Sequence, residues 1–266
     1  MGVAQERYFY RLHELNPKEK DLIQKLFIQS SYGALKTANE QWLELFTALY
    51  DIKAQIQRQG LMSSAIASVF NEAALQLEES LHSAIEGQSK QYLDMLLKQD
   101  ISFYEDEKAA MDFCLFFAMQ YVRTPRILDN MRKNITEIKG IDVTKVWSVA
   151  KIIVATDIAW SMFVKRVQYR MSILTSNTSQ FITGDQPIIN THAVDFEGTP
   201  ESVEFFYPIS PQLALLISES EHGKVAQIGG EKVLAYNEMM FKSSYKQVYA
   251  AQRADLEPFM DRSQYS

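Results

Sequence analysis

The chain has 266 residues, with 27 Lys and Arg against 33 Asp and Glu for a formal charge of −6, and 47% of its residues are apolar. That composition excludes a disordered or collagenous chain, and the negative charge argues against a generally basic nucleic-acid binder. One cysteine, Cys114, excludes an intramolecular disulfide framework and a multi-cysteine metal site.

Met1 to Tyr10 is polar and mixed in charge and lacks the apolar core of a signal peptide. Asn16-Pro17-Lys18-Glu19 is a helix start, with a capping Asn, Pro at the first helical position and an acid in the first turn. Leu22, Ile23, Leu26 and Phe27 follow at helical spacing. Leu35 to Ile56 predicts a second helix, with Trp42, Leu45, Phe46, Leu49 and Tyr50 on one side. Residues 62–98 read as one long helix or two. Ser102 to Tyr121 predicts an apolar helix. The most apolar run, Phe113 to Val122, is half the roughly 20 residues a membrane span needs, so it reads as a core helix. Asp142 to Met171 predicts the last long helix, capped by Asp142 and packed by Val146, Trp147, Ala150, Ile153, Val154 and Trp160.

Composition changes near residue 172. Residues 1–172 hold 21 basic and 21 acidic residues, whereas residues 173–266 hold 6 and 12 and so carry the whole negative charge. The second part also holds five of the seven prolines. It reads as short strands with turns. Phe181-Ile182-Thr183 and Ile188-Ile189-Asn190 flank the turn-forming Gly184-Asp185-Gln186-Pro187. Strands are predicted over Glu204 to Ile209, Leu213 to Ser218 and Val248 to Ala250, with a helix over Lys232 to Ser244 after the Gly229-Gly230 break. The expected fold is α+β. A predominantly helical region, 1–172, packs on a small, mostly antiparallel C-terminal sheet with a closing helix, 173–266, as one compact domain.

Three constellations carry chemistry. Glu79, His82 and Glu86 lie at i, i+3 and i+7 of a helix and share a face, and Glu-x-x-His is the spacing by which di-metal bundles present ligands from one helix. The plain alternative is a solvated helix face. Gln120, Arg123, Thr124, Pro125 and Arg126 close the apolar helix. Arg123 is either a helix C-terminal cap or an anchor for a phosphate or carboxylate, whose geometry matches the guanidinium fork. In the third, a strand delivers Asp185 into a turn, where it binds backbone or acts as a metal or general-base carboxylate supported by Asn190. Cys114 in its apolar helix is expected to be inert. The basic residues Arg123, Arg126, Arg132, Lys133 and Lys139, and then Lys165, Arg166 and Arg170, form a solvated surface or a phosphate-contacting strip. No P-loop, G-x-G-x-x-G, G-x-S-x-G or H-E-x-x-H motif is present.

The order of motifs resembles the bacterial domain-of-unknown-function 4238 family. The matching residues are Phe9-Tyr10, Glu78-Glu79-Ser-Leu-His82-Ser-Ala-Ile-Glu86, Gln120-Tyr-Val-Arg123-Thr-Pro-Arg126, Phe181-Ile-Thr-Gly-Asp185-Gln-Pro187, Tyr207-Pro208-Ile-Ser210-Pro211 and Asn237. Members usually begin with a further segment holding a His-Tyr-Val-Pro type motif, and this chain starts close to where that segment would end. The resemblance implies a bacterial cytoplasmic protein, often associated with mobile elements or defence, and implies no reaction. It draws Glu86, Arg123 and Asp185 toward a shared site.

Two readings are open. In the first, an enzyme acts on a phosphodiester or nucleotide. Glu79, His82, Glu86 and Asp185 are catalytic, Glu86 and Asp185 hold a divalent metal such as Mg2+, and Gln120, Arg123, Arg126 and Asn190 bind substrate. In the second, a non-catalytic binding or regulatory module of a toxin or defence complex carries these residues as a structural ion-pair network. It has a protein partner or a second copy, and no membrane.

Overall fold

The computed structural model describes residues 12–135, 140–194, 202–220 and 222–260. Phe9, Tyr10, Glu137 and Lys139 lie outside them. The fold is α+β: helices fill the first two-thirds, and a mixed five-stranded sheet, a two-stranded sheet and a further helix follow. The chain groups into two compact units, Met1–Gln88 with Ile127–Trp160 and Ser89–Arg126 with Ser161–Ser266.

The first unit is helical. Helix α1, Pro17–Ile23, begins with a capping box: the Asn16 side chain accepts from Lys18 and Glu19 N–H, and the Glu19 carboxylate accepts from Asn16 N–H. The other Glu19 oxygen accepts the N–H of Asp142 at 3.0 Å. Asp142 in turn caps α6, Val143–Val164, through Thr144 N–H at 2.9 Å. The buried Glu19 therefore fastens two helix starts together. After α1 the chain widens into a π-helical turn, Gln24–Ile28, and continues as α2, Gly33–Arg58, and α3, Ser64–Leu97. Residues 62–98 thus hold one helix rather than two. Helix α5, Pro125–Ile135, meets α6 where Arg132 donates to Thr144 Oγ1. By length and composition α6 could cross a membrane, but 67% of its most apolar window is buried, as in a core helix.

The second unit is a sheet with a helix on each face. The strands are β1 Arg170–Thr175, β3 Ile189–Asn190, β4 Phe205–Ser210, β5 Leu213–Ser218 and β6 Val225–Gln227, in the order β3-β4-β5-β1-β6. Only the β1–β6 pair is parallel. Alternation along β4 builds both layers. Phe205 and Tyr207 point to α4, Glu107–Val122, where both lie edge-on to Phe117. Phe206 points the other way and stacks on Tyr236 of α7, Gly230–Ser243, with ring centroids 4.4 Å apart. Its register partner Leu216 joins the same cluster with Val233 and Met240. Two short strands, β2 Thr183–Gly184 and β7 Val248–Tyr249, pair separately, and α8, Glu257–Met260, follows.

Two expectations are corrected. The last long helix stops at Val164 rather than Met171. Turn hydrogen bonds such as Gln168 N–H to Lys165 C=O end it, and Arg170 opens β1, whose whole length pairs with β5. Ser102–Glu105 is a separate 3-10 turn, and Asp106 starts α4 by accepting from Ala109 N–H at 2.8 Å. The segments that flank the Gly184–Pro187 turn find separate partners, β2 joining β7 and β3 joining β4.

Candidate functional site

In the first unit the buried stripe of α3 runs through Ala74, Glu78 and His82. Of the three helix-face residues expected to act together, only His82 lies on it; Glu79 and Glu86 are exposed. The spacing that matters is i, i+4. His82 Nε2 lies 3.4 Å from Glu78 Oε1, and the same oxygen takes the ammonium of Lys151 from α6. Glu78 is fully buried and Lys151 nearly so. The second carboxylate oxygen, Oε2, is buried and has no hydrogen-bond partner among the described residues. A buried charge that loses its partner is expensive, so this pair is a strong mutual dependence. A second polar cluster lies nearby in sequence on α6. Asn39 Nδ2 donates to Asp157 Oδ1 at 2.7 Å and to Ser31 Oγ at 3.1 Å, and burial raises the Asp157 carboxyl above the usual aspartate range.

In the second unit Asp185 is a brace. Its carboxylate accepts the backbone N–H groups of Tyr245 at 2.7 Å, Lys246 at 2.8 Å and Gln247 at 3.2 Å, and its own N–H donates to Gln247 C=O. These bonds hold the loop between α7 and β7 against β2. Gly184 permits that approach, since a Cβ there would collide with Ser244 Oγ and meet Gln247 O at 3.1 Å. Gln186, next in the chain, accepts from the Thr124 hydroxyl and donates to Ile188 C=O and Tyr121 C=O. Asn237 of α7 accepts from Ile182 N–H and donates to Gln180 C=O. Asn190 Oδ1 accepts from His192 N–H and Glu204 N–H and sets the turn after β3.

The arginines also serve helix ends. Arg123 is the C-terminal cap residue of α4, with its N–H on Met119 C=O at 3.2 Å. Arg126 donates to Lys242 C=O at 2.6 Å in the last turn of α7, where a cation is favoured. Burial lowers the Arg126 pKa, and the facing Tyr121 and Asp185 offset this. Gln120 is buried on α4. Cys114 is buried, and its thiol is pushed up to about 12, so it is inert as expected.

Glu79, His82 and Glu86 thus belong to the first unit, and Gln120, Arg123, Arg126, Asp185 and Asn190 to the second. Among the described residues no group of three or more His, Cys, Asp or Glu side chains is placed to hold a metal ion. Sequence reasoning missed Glu78 as a partner and Lys151 altogether. The available signal was a lysine inside the apolar run Val149 to Val154, where an unpaired charge would be costly.

A family model described as a protein of unknown function (DUF4238) matches residues 2–254. No curated protein and no solved structure matches the chain.

Proposed function

The chain belongs to the DUF4238 family of proteins of unknown function, and from that premise we propose that it is a non-catalytic binding module whose motif residues hold its two units in shape. The observation that carries this reading is how the motif side chains spend their hydrogen bonds. Asp185, Gln186 and Asn237, with Asn190 just beyond the motif, each accept from or donate to backbone groups of other segments. Glu78 is spent on Lys151. A general base or metal ligand needs a lone pair directed at a reacting atom, and Asp185 gives its oxygens to three N–H groups. The partner is a protein with a basic surface, matched to the acidic segment 173–266, and a bacterial defence or toxin complex in the cytoplasm is the setting.

A second reading keeps the enzyme acting on a phosphodiester or nucleotide, with Glu79, His82, Glu86 and Asp185 as catalytic groups and Mg2+ on Glu86 and Asp185. The observation favouring it is the buried Glu78 Oε2, an acceptor with no hydrogen-bond partner beside His82. Thermal melts with Mg2+ or Mn2+ separate the two. A metal bound only by the native state raises Tm by mass action. The module reading predicts the same Tm with and without metal. A rise in the wild type that disappears in Glu86→Ala would overturn it in favour of the enzyme.

A further inference from the structure

A cavity of about 280 Å3 in the second unit is lined by residues that none of the family motifs includes. One wall is the 3-10 turn Ser102–Glu105, which contributes Tyr104 and Glu105. A second is the turn after α6 and the start of β1, with Arg166 and Arg170. The third is the loop before β6, with His222 and Lys224. Gly223 sits between these two at φ +74°, a backbone conformation that favours glycine, and Ile173 N–H fixes the loop by donating to Lys224 C=O at 2.9 Å.

We propose that this cavity binds the phosphate group of a small phosphate-bearing molecule. Two guanidinium forks and an ammonium line one concave space, and the fork geometry suits phosphate oxygens. Arg166 is preorganised. Its guanidinium lies 4.4 Å from the Phe163 ring centre, and Nη1 donates to Phe163 C=O at 3.1 Å. Tyr104 forms part of the wall; it is 8% exposed, and its buried hydroxyl is directed at the Cys114 thiol rather than at a ligand. Burial beside the Cys114 thiol drives the phenol's pKa upward, so the proton stays on.

Two acids oppose these cations: Glu105 lies 2.7 Å from Lys224 Nζ, and Glu107 lies 3.3 Å from Arg166 Nη2, while Arg170 has a contact of its own. Both carboxylates are largely exposed, at 70% and 81%, so these are surface pairs that a dianion can displace. The volume lies just under the usual range for ligand pockets, about 300 Å3 and upward, which fits a phosphate with a small body attached.

The test is calorimetric titration with inorganic phosphate at constant ionic strength, with chloride as the control. The expected result is saturable binding with Kd of about a millimolar. Arg170→Gln and Arg166→Gln should each weaken it about tenfold. Glu105→Gln should tighten it, an effect no structural role for Glu105 would produce. Arg170 and Glu105 are exposed, so these two variants carry the test if Arg166→Gln does not fold. Binding that never saturates, or that both Arg170→Gln and Glu105→Gln leave unchanged, would overturn the proposal. So would a single-stranded oligonucleotide that binds without competition from phosphate, since that would place the contact on an open surface. Failure here leaves the module reading standing, and a metal-dependent Tm would overturn that reading while leaving this site intact.

Discussion

Asp157 is half-buried on α6, and burial raises its carboxyl pKa while the hydrogen bond from Asn39 partly opposes the rise. The native state therefore holds this proton more tightly than the unfolded chain does. By linkage, its contribution to stability falls as pH rises from the ordinary aspartate range through the native pKa. Asp157→Asn keeps an acceptor for Asn39 and removes the charge. Its Tm relative to the wild type should be higher at pH 7 than at pH 4, read by paired thermal melts. A difference independent of pH would mean that burial does not penalise this carboxylate. At the same scale, the residues legible in sequence were those whose partners are local. Asn16 and Asp142 were identified as caps because each bonds an N–H two or three residues on. Asp185 reads from sequence as a turn residue, yet its partners lie 60 to 62 residues away, and no spacing rule reaches that far.

Between elements, the pair joining α3 to α6 is a strong dependence in the first unit. Removing one partner leaves a buried charge, and Glu78→Gln or Lys151→Met should each cost about 3–5 kcal/mol in urea unfolding. The double change Glu78→Leu with Lys151→Met should recover most of that loss, because an apolar pair of similar volume restores packing without desolvated charge. Additive losses would show that the two residues act separately. Helices were legible as periods, and the strands over 204–209 and 213–218 as apolar runs with turns. What was not legible was the end of α6. Met171, Ser172, Ile173 and Leu174 are all buried, and a strand buried on both faces has no alternation to distinguish it from a helix. The buried stripe of α3 lies one position away from the Glu79, His82 and Glu86 face for a related reason. The i, i+3 and i, i+4 choices are both helical, and only packing selects the stripe through Glu78 and His82.

For the whole molecule, the two units interleave along the chain, each taking two separate segments. The composition break near residue 172 marks where strands begin rather than the limits of either unit. Several of the motifs then have a physical reading: Glu78, Thr124, Arg126, Asp185 and Asn237 fasten segments that are distant in sequence. Polar residues so used are as unforgiving of change as catalytic ones, and only stability tells the two roles apart. The most direct measurement is urea unfolding of Asp185→Ala beside Glu79→Ala. Three backbone N–H groups lose a charged acceptor in the first, for an expected loss of about 3 kcal/mol, while the exposed Glu79 should change stability by no more than about 0.5 kcal/mol. Asp185→Ala unfolding at the wild-type midpoint would contradict the account, because the carboxylate would then be held for chemistry and not for the fold.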